Sequence, residues 1–146
     1  MIVKADHTAL SVVDMDKSLA FYRDIIGFEV VRTLQCGPET LLGEVVGMQG
    51  CSAKIAHLKL GGTMLELFQY TDPCGRAMPA DSKQADKGWI HMGFTSDDVR
   101  GDAERLKAAG IELVSEPVEF RPDVWIVYLR GPDGEVCELR QTPPGD

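Results

Sequence analysis

The sequence predicts an α+β fold made of two tandem βαβββ modules. Three observations carry this reading. Residues 7–31 and 91–114 repeat one pattern: His, a short apolar strand, Asp, then a helical stretch ending at Gly. Residues 61–69 and 132–141 repeat a second pattern, a Gly turn followed by an apolar strand with an embedded Glu and, three residues on, a Gln. Between the copies, 71–88 is polar and holds Pro73 and Pro79, as a linker does.

The 146 residues suffice for one average core, or two small modules sharing it, and not for two independent domains. The expected division is a first module at 1–70, the linker at 71–88, a second module at 89–142 and a frayed tail at 143–146.

Each element follows from local signals. In the first copy, Asp14 or Asp16 is the N-cap, Leu19, Tyr22 and Ile26 recur at helical spacing, and Gly27 suits a left-handed C-terminal cap. Phe28–Val30 then opens a meander whose next strand is Ala53–Leu60, turned at Gly61-Gly62 into a last strand through Gln69. In the second copy, Asp97 or Asp98 caps a helix with an Ala103, Leu106 and Ala109 stripe, ended by Gly110. Gly101 in its first turn lowers the helical propensity. The triplet Ile111–Leu113 matches Phe28–Val30, Trp125–Leu129 is the next strand, and Pro132–Gly134 turns into the last.

Composition narrows the function. Lys and Arg number 15 against 23 Asp and Glu, a net charge of −8 and a pI near 4.8. Such a surface repels nucleic-acid backbones and anionic membranes. No apolar run approaches the roughly 20 residues of a membrane span. The start has one Lys before a short apolar stretch and no cleavage-like site, unlike a signal peptide. Cys36, Cys51, Cys74 and Cys137 form no C-x-x-C pair and read as reduced thiols of a cytoplasmic protein.

The duplication places His7 with His91 and Glu66 with Glu138. On the last strands, Leu65 and Leu67, or Cys137 and Leu139, point toward the helices, so each Glu points to the other face. If first and last strands are neighbours, His and Glu converge on that face. Two facing modules then offer two imidazoles and two carboxylates, an N₂O₂ set for Ni, Co, Fe, Mn or Zn with two positions open to water or substrate. Singly, each residue is more often structural; four in register across a duplication are harder to explain that way. His57 has an apolar or aromatic counterpart and is given no role. Trp125 and Tyr128, three apart in a strand, face opposite sides.

The stretches HTALSVVDMDKSLAFYRDIIGFEVV, KLGGTMLELFQY, WIHMGFTSDD and LRGPDGEVCELRQ, which span nearly the whole chain, resemble the vicinal oxygen chelate superfamily. That superfamily includes glyoxalase I, methylmalonyl-CoA epimerase, extradiol dioxygenases and the fosfomycin and bleomycin resistance proteins. The resemblance implies a curved-sheet cleft between paired modules holding one divalent metal. His7, Glu66, His91 and Glu138 would be its ligands, in an order similar to bacterial glyoxalase I. It further implies a metal-dependent lyase or isomerase that moves a proton at a carbon next to a metal-chelated carbonyl. Glu138 would be the base and Glu66 its opposite-face partner, with a small-molecule substrate and a homodimeric assembly. Two departures stand out. Ser11 lies four residues after His7, where the bacterial glyoxalase pattern carries an Arg that grips a glutathione carboxylate. The Gly47–Cys51 region lacks the Glu expected in the third strand of an epimerase, with Glu44 a few residues early. An epimerase-like or extradiol dioxygenase-like enzyme and a metal-free small-molecule-binding protein are the alternatives.

Overall fold

Strand β1 (Thr8–Ser11) pairs in parallel with β4 (Thr63–Asp72), which lies beside β3 (Ser52–Leu60), which lies beside β2 (Glu29–Cys36). The computed structural model describes residues 1–145. It divides into two units, Met1–Ala77 and the chain from Met78 onward. The second unit repeats the order with β5 (Met92–Thr95) parallel to β8 (Val136–Gln141), then β7 (Val124–Arg130) and β6 (Val118–Arg121). Each unit is therefore a four-stranded mixed sheet reached through one helical crossover, the α+β duplication read from the sequence.

Asp14 is the N-cap of α1 (Met15–Leu19), its carboxylate accepting from the amides of Asp16 and Lys17. Such a cap contributes about 1 kcal/mol. The helix continues as a π-helical segment, Ala20–Ile26, that ends where Gly27 takes φ 102° and the Gly27 amide bonds Tyr22 O. The wide turn is absent from sequence periodicity and rare as a class. In unit 2, Asp98 caps α3 (Val99–Ala108) through the Gly101 amide, so the glycine that weakens the helix on propensity grounds is a capped first-turn residue.

One further device is duplicated. Gln69 Oε1 accepts the Met15 amide at 3.1 Å, and Gln141 Oε1 accepts the Val99 amide at 3.1 Å. The Gln three residues after each Glu thus ties the last strand to the first residue of the crossover helix, satisfying a backbone donor the helix itself leaves open.

The cores lie between helix and sheet. Phe21, Tyr22 and Phe28 pack edge-on in unit 1 over Leu58, Leu65 and Leu67; Val99, Ala103 and Leu106 cover Val127, Leu129 and Cys137 in unit 2. Leu65, Leu67 and Cys137 are essentially sealed, and Leu139 nearly so. The alternation expected on both last strands is present.

Several expectations shift. Ile111–Leu113 is no meander strand: only Leu113 bridges Leu129, and Pro117, which has no amide to donate, separates it from β6. Gly47–Cys51 is a turn after a short helix α2 (Leu42–Val46) that holds Glu44, and β3 starts at Ser52. Strand β4 includes Thr71 and Asp72, residues the sequence reading gives to the linker, with Asp72 paired to Ser52. His7 and His91 each stand one residue before their strand. Of the expected tail, Asp146 lies outside the described residues. The four cysteines are free thiols.

Candidate functional site

Register places the paired acids and imidazoles. Across the parallel β1–β4 pair Ala9 faces Glu66, and across β5–β8 Gly93 faces Glu138. His7 and His91 lie two residues before Ala9 and Gly93, hence on the same face as the glutamates. Their Nε2 atoms stand 3.5 Å from Glu66 Oε2 and 3.1 Å from Glu138 Oε2. The structure thus brings His7 to Glu66 in unit 1 and His91 to Glu138 in unit 2. Both glutamate side chains are 15% exposed.

The outer ring nitrogens have partners of their own. Gln84 Nε2 donates to Ile90 O at 3.0 Å, which fixes the amide so that Gln84 Oε1 is the atom 3.2 Å from His91 Nδ1. An amide oxygen only accepts, so Nδ1 carries a proton. In unit 1, His7 Nδ1 lies 3.3 Å from the Asp6 carboxylate, which likewise only accepts. This bond, then Lys4, holds the Asp6 carboxyl below its ordinary value. At both contacts Nε2 meets a carboxylate oxygen, which places a proton or a cation between the two atoms.

A divalent ion fits. Two ligands about 2.1 Å from one ion at right angles are about 3 Å apart, close to the separations seen here. Imidazole nitrogen and carboxylate oxygen suit first-row divalent metals, and partners at Nδ1 orient metal-binding histidines. Among the described residues no group of three or more His, Cys, Asp or Glu converges to hold a metal; each unit carries a two-donor pair.

His57, which sequence reasoning set aside, belongs to this face. It pairs with Glu66 across β3–β4, is 13% exposed, and puts Nδ1 3.2 Å from Glu66 Oε1. Arg32 Nε lies 3.4 Å from the same nitrogen. Nδ1 accepts from the Arg32 guanidinium and stands at ion-pair distance from the Glu66 carboxylate. The signal was available: a two-residue Gly61-Gly62 turn pairs Leu60 with Thr63, and counting back along both strands sets His57 opposite Glu66.

Its counterpart is Tyr128, opposite Glu138, whose ring lies 5.1 Å from that of His91. Burial, with the Glu138 charge added, pushes its phenol above the ordinary value. Trp125 points to the other face, beneath the Arg100 guanidinium at 4.5 Å. Ser11, two residues beyond Ala9, borders a cavity of about 300 Å³ in unit 1, also lined by Tyr70, Thr71, Cys74 and Arg76.

The sequence model of the Glyoxalase/Bleomycin resistance protein/Dioxygenase superfamily matches residues 4–139. The chain belongs to that superfamily. Within it, the chain is 32% identical to a 2-epi-5-epi-valiolone epimerase from an Actinomyces species, over 98% of this chain and 81% of the relative. A probable lactoylglutathione lyase from Synechocystis is 27% identical, over 93% of each chain. In structure, a glyoxalase family protein from Bacillus cereus superposes with a TM-score of 0.87 at 23% identity, over 97% of this chain and 95% of that one. A fosfomycin resistance protein from Listeria monocytogenes, complexed with Mn(II) and sulfate, has a TM-score of 0.64 at 20% identity, over 99% and 96%. These structural matches establish the fold. No described helix is long and apolar enough to cross a membrane.

Proposed function

We propose that this chain is a metal-dependent lyase or isomerase of glyoxalase I type, moving a proton at a carbon next to a chelated carbonyl. The observation that carries this reading is the duplicated imidazole–carboxylate contact, Nε2 of His7 on Glu66 and Nε2 of His91 on Glu138. In this reading the four side chains serve one divalent ion, of the Ni, Co, Zn, Mn or Fe class. When bound, that ion withdraws electron density from a chelated carbonyl and acidifies the neighbouring C–H.

The chain's residues do the rest. His7 and His91, held through Asp6 and Gln84, present their Nε2 atoms without rearrangement. Glu138 takes the substrate proton and returns it to the same or the adjacent carbon, with Glu66 as the opposite-face partner. The Tyr128 ring, beside His91, screens the acid from water and remains a phenol. A cytoplasmic homodimer is part of the proposal, which the acidic charge balance and free thiols support for location.

An epimerase is the second reading. The 32% identical relative is an epimerase, and Ser11 replaces the Arg of the glutathione-binding pattern. Both readings share the proton transfer and differ in substrate. The test is solvent deuterium uptake, by NMR, into glutathione hemithioacetals, acyl-CoA thioesters and polyhydroxy ketones, with metal-loaded protein. Uptake next to the carbonyl of one class supports the reading and names the substrate; none in any class, with metal bound, defeats it.

A further inference from the structure

Residues 79–86, a linker on sequence grounds, are folded onto the second unit by two successive turns. The Ser82 amide donates to Pro79 O at 3.1 Å and closes the first. The second is closed from both sides: the Asp86 amide donates to Lys83 O at 3.0 Å, and the Asp86 carboxylate accepts the Lys83 amide at 2.8 Å. Gln84 is the second residue of that turn. Its Nε2 donates to Ile90 O, six residues on, and its Oε1 accepts from His91 Nδ1, seven residues on. Ahead of the first turn, Met78 Cε lies beside Gly134, in the turn between β7 and β8. Lys83, Lys87 and Trp89 are exposed around this loop, whereas Gln84 and His91 are half-buried.

We propose that residues 79–86 form a clasp in which Gln84 is a positioning residue for His91, so that ion binding at Nε2 and order in the clasp strengthen one another. The inference rests on the metal reading above and on contacts within one unit. With the Nδ1 proton held by Gln84 Oε1, Nε2 is the ring nitrogen left to take an ion, on the side of Glu138. The bond from Gln84 Nε2 to the backbone just before His91 keeps the amide from turning its NH2 group toward the ring. Without Gln84 the imidazole is free to rotate and to exchange tautomers. Loss of such a partner typically weakens metal binding about 10–100-fold. Linkage runs both ways: an ion that holds the ring in place favours the closed clasp by the same factor.

The test combines Co(II) titration of the purified full-length chain against a competing chelator with trypsin cleavage at Lys83 and Lys87, followed by mass spectrometry. Wild type should bind Co(II), and the ion should slow cleavage at both lysines. Gln84→Ala should weaken Co(II) binding about 10–100-fold and speed cleavage at both lysines in the metal-free chain. Gln84→Glu retains an acceptor for the Nδ1 proton and should bind within a few fold of wild type. Asp86→Ala opens the turn two residues from Gln84 and should weaken binding by a smaller factor; no effect there contradicts the clasp. Thermal melts of each variant separate a lost bond from a lost fold, and Asp86→Ala carries the comparison if Gln84→Ala melts early. Gln84→Ala binding like wild type, an equal loss in Gln84→Glu, or an ion that protects neither lysine overturns this inference alone. Failure of the wild-type chain to bind Co(II) overturns the metal reading and this inference together.

Discussion

Glu138 and Gly93 stand opposite one another across the parallel β5–β8 pair, as Glu66 and Ala9 do across β1–β4. Where the first strand approaches each glutamate, the opposing residue is Gly or Ala, so only a small side chain meets the acid. The His two residues earlier reaches over that gap. The shared placement, more than any single contact, argues for a common task.

Glu138→Gln should separate binding from chemistry. The amide oxygen still ligates, while the group no longer accepts a proton at neutral pH. Deuterium uptake into the substrate should fall about 10²–10⁴-fold, with metal content held near that of wild type. Equal uptake in the variant would move the base elsewhere.

Gln141→Ala removes the acceptor of the Val99 amide at the start of α3. Loss of that bond should cost about 1 kcal/mol and lower Tm by about 3 °C. Gln141→Glu keeps an oxygen at a helix N-terminus, where negative charge is favourable, and should match or exceed wild type. Calorimetry on the three proteins checks both signs.

Ser11→Arg should shift substrate preference rather than turnover chemistry. A guanidinium beside the cavity lined by Tyr70 and Thr71 would favour substrates with a distant carboxylate. A lower KM for glutathione hemithioacetals with little change in kcat is expected; unchanged KM would show that the cavity holds no part of the substrate.

The elements set by neighbouring residues were legible in sequence. Asp14, Gly27, Asp98 and the Gly61 turn act within a few residues, and each does what its type predicts. The duplication carried the site pairs, because equivalent strands put His7 and His91 in equivalent places. What escaped depends on pairing over distance or on an uncommon turn. The π-helical Ala20–Ile26 has no periodic signature, and the break after Leu113 follows from Pro117 and tertiary pairing. His57 was set aside because its counterpart is aromatic, although the register that brings it to Glu66 follows from the turn. A repeat comparison finds what two copies share and passes over what only one copy has.

The most direct test of the account is metal stoichiometry in wild-type, His7→Ala and His91→Ala chains purified without chelator and reloaded with Ni, Co, Mn, Fe or Zn. A site drawing on both pairs predicts about one ion per chain in wild type, with either substitution removing nearly all of it. Two ions per chain, each variant losing one, would mean the pairs act separately. A wild-type chain that takes up none of the five metals would contradict the account outright.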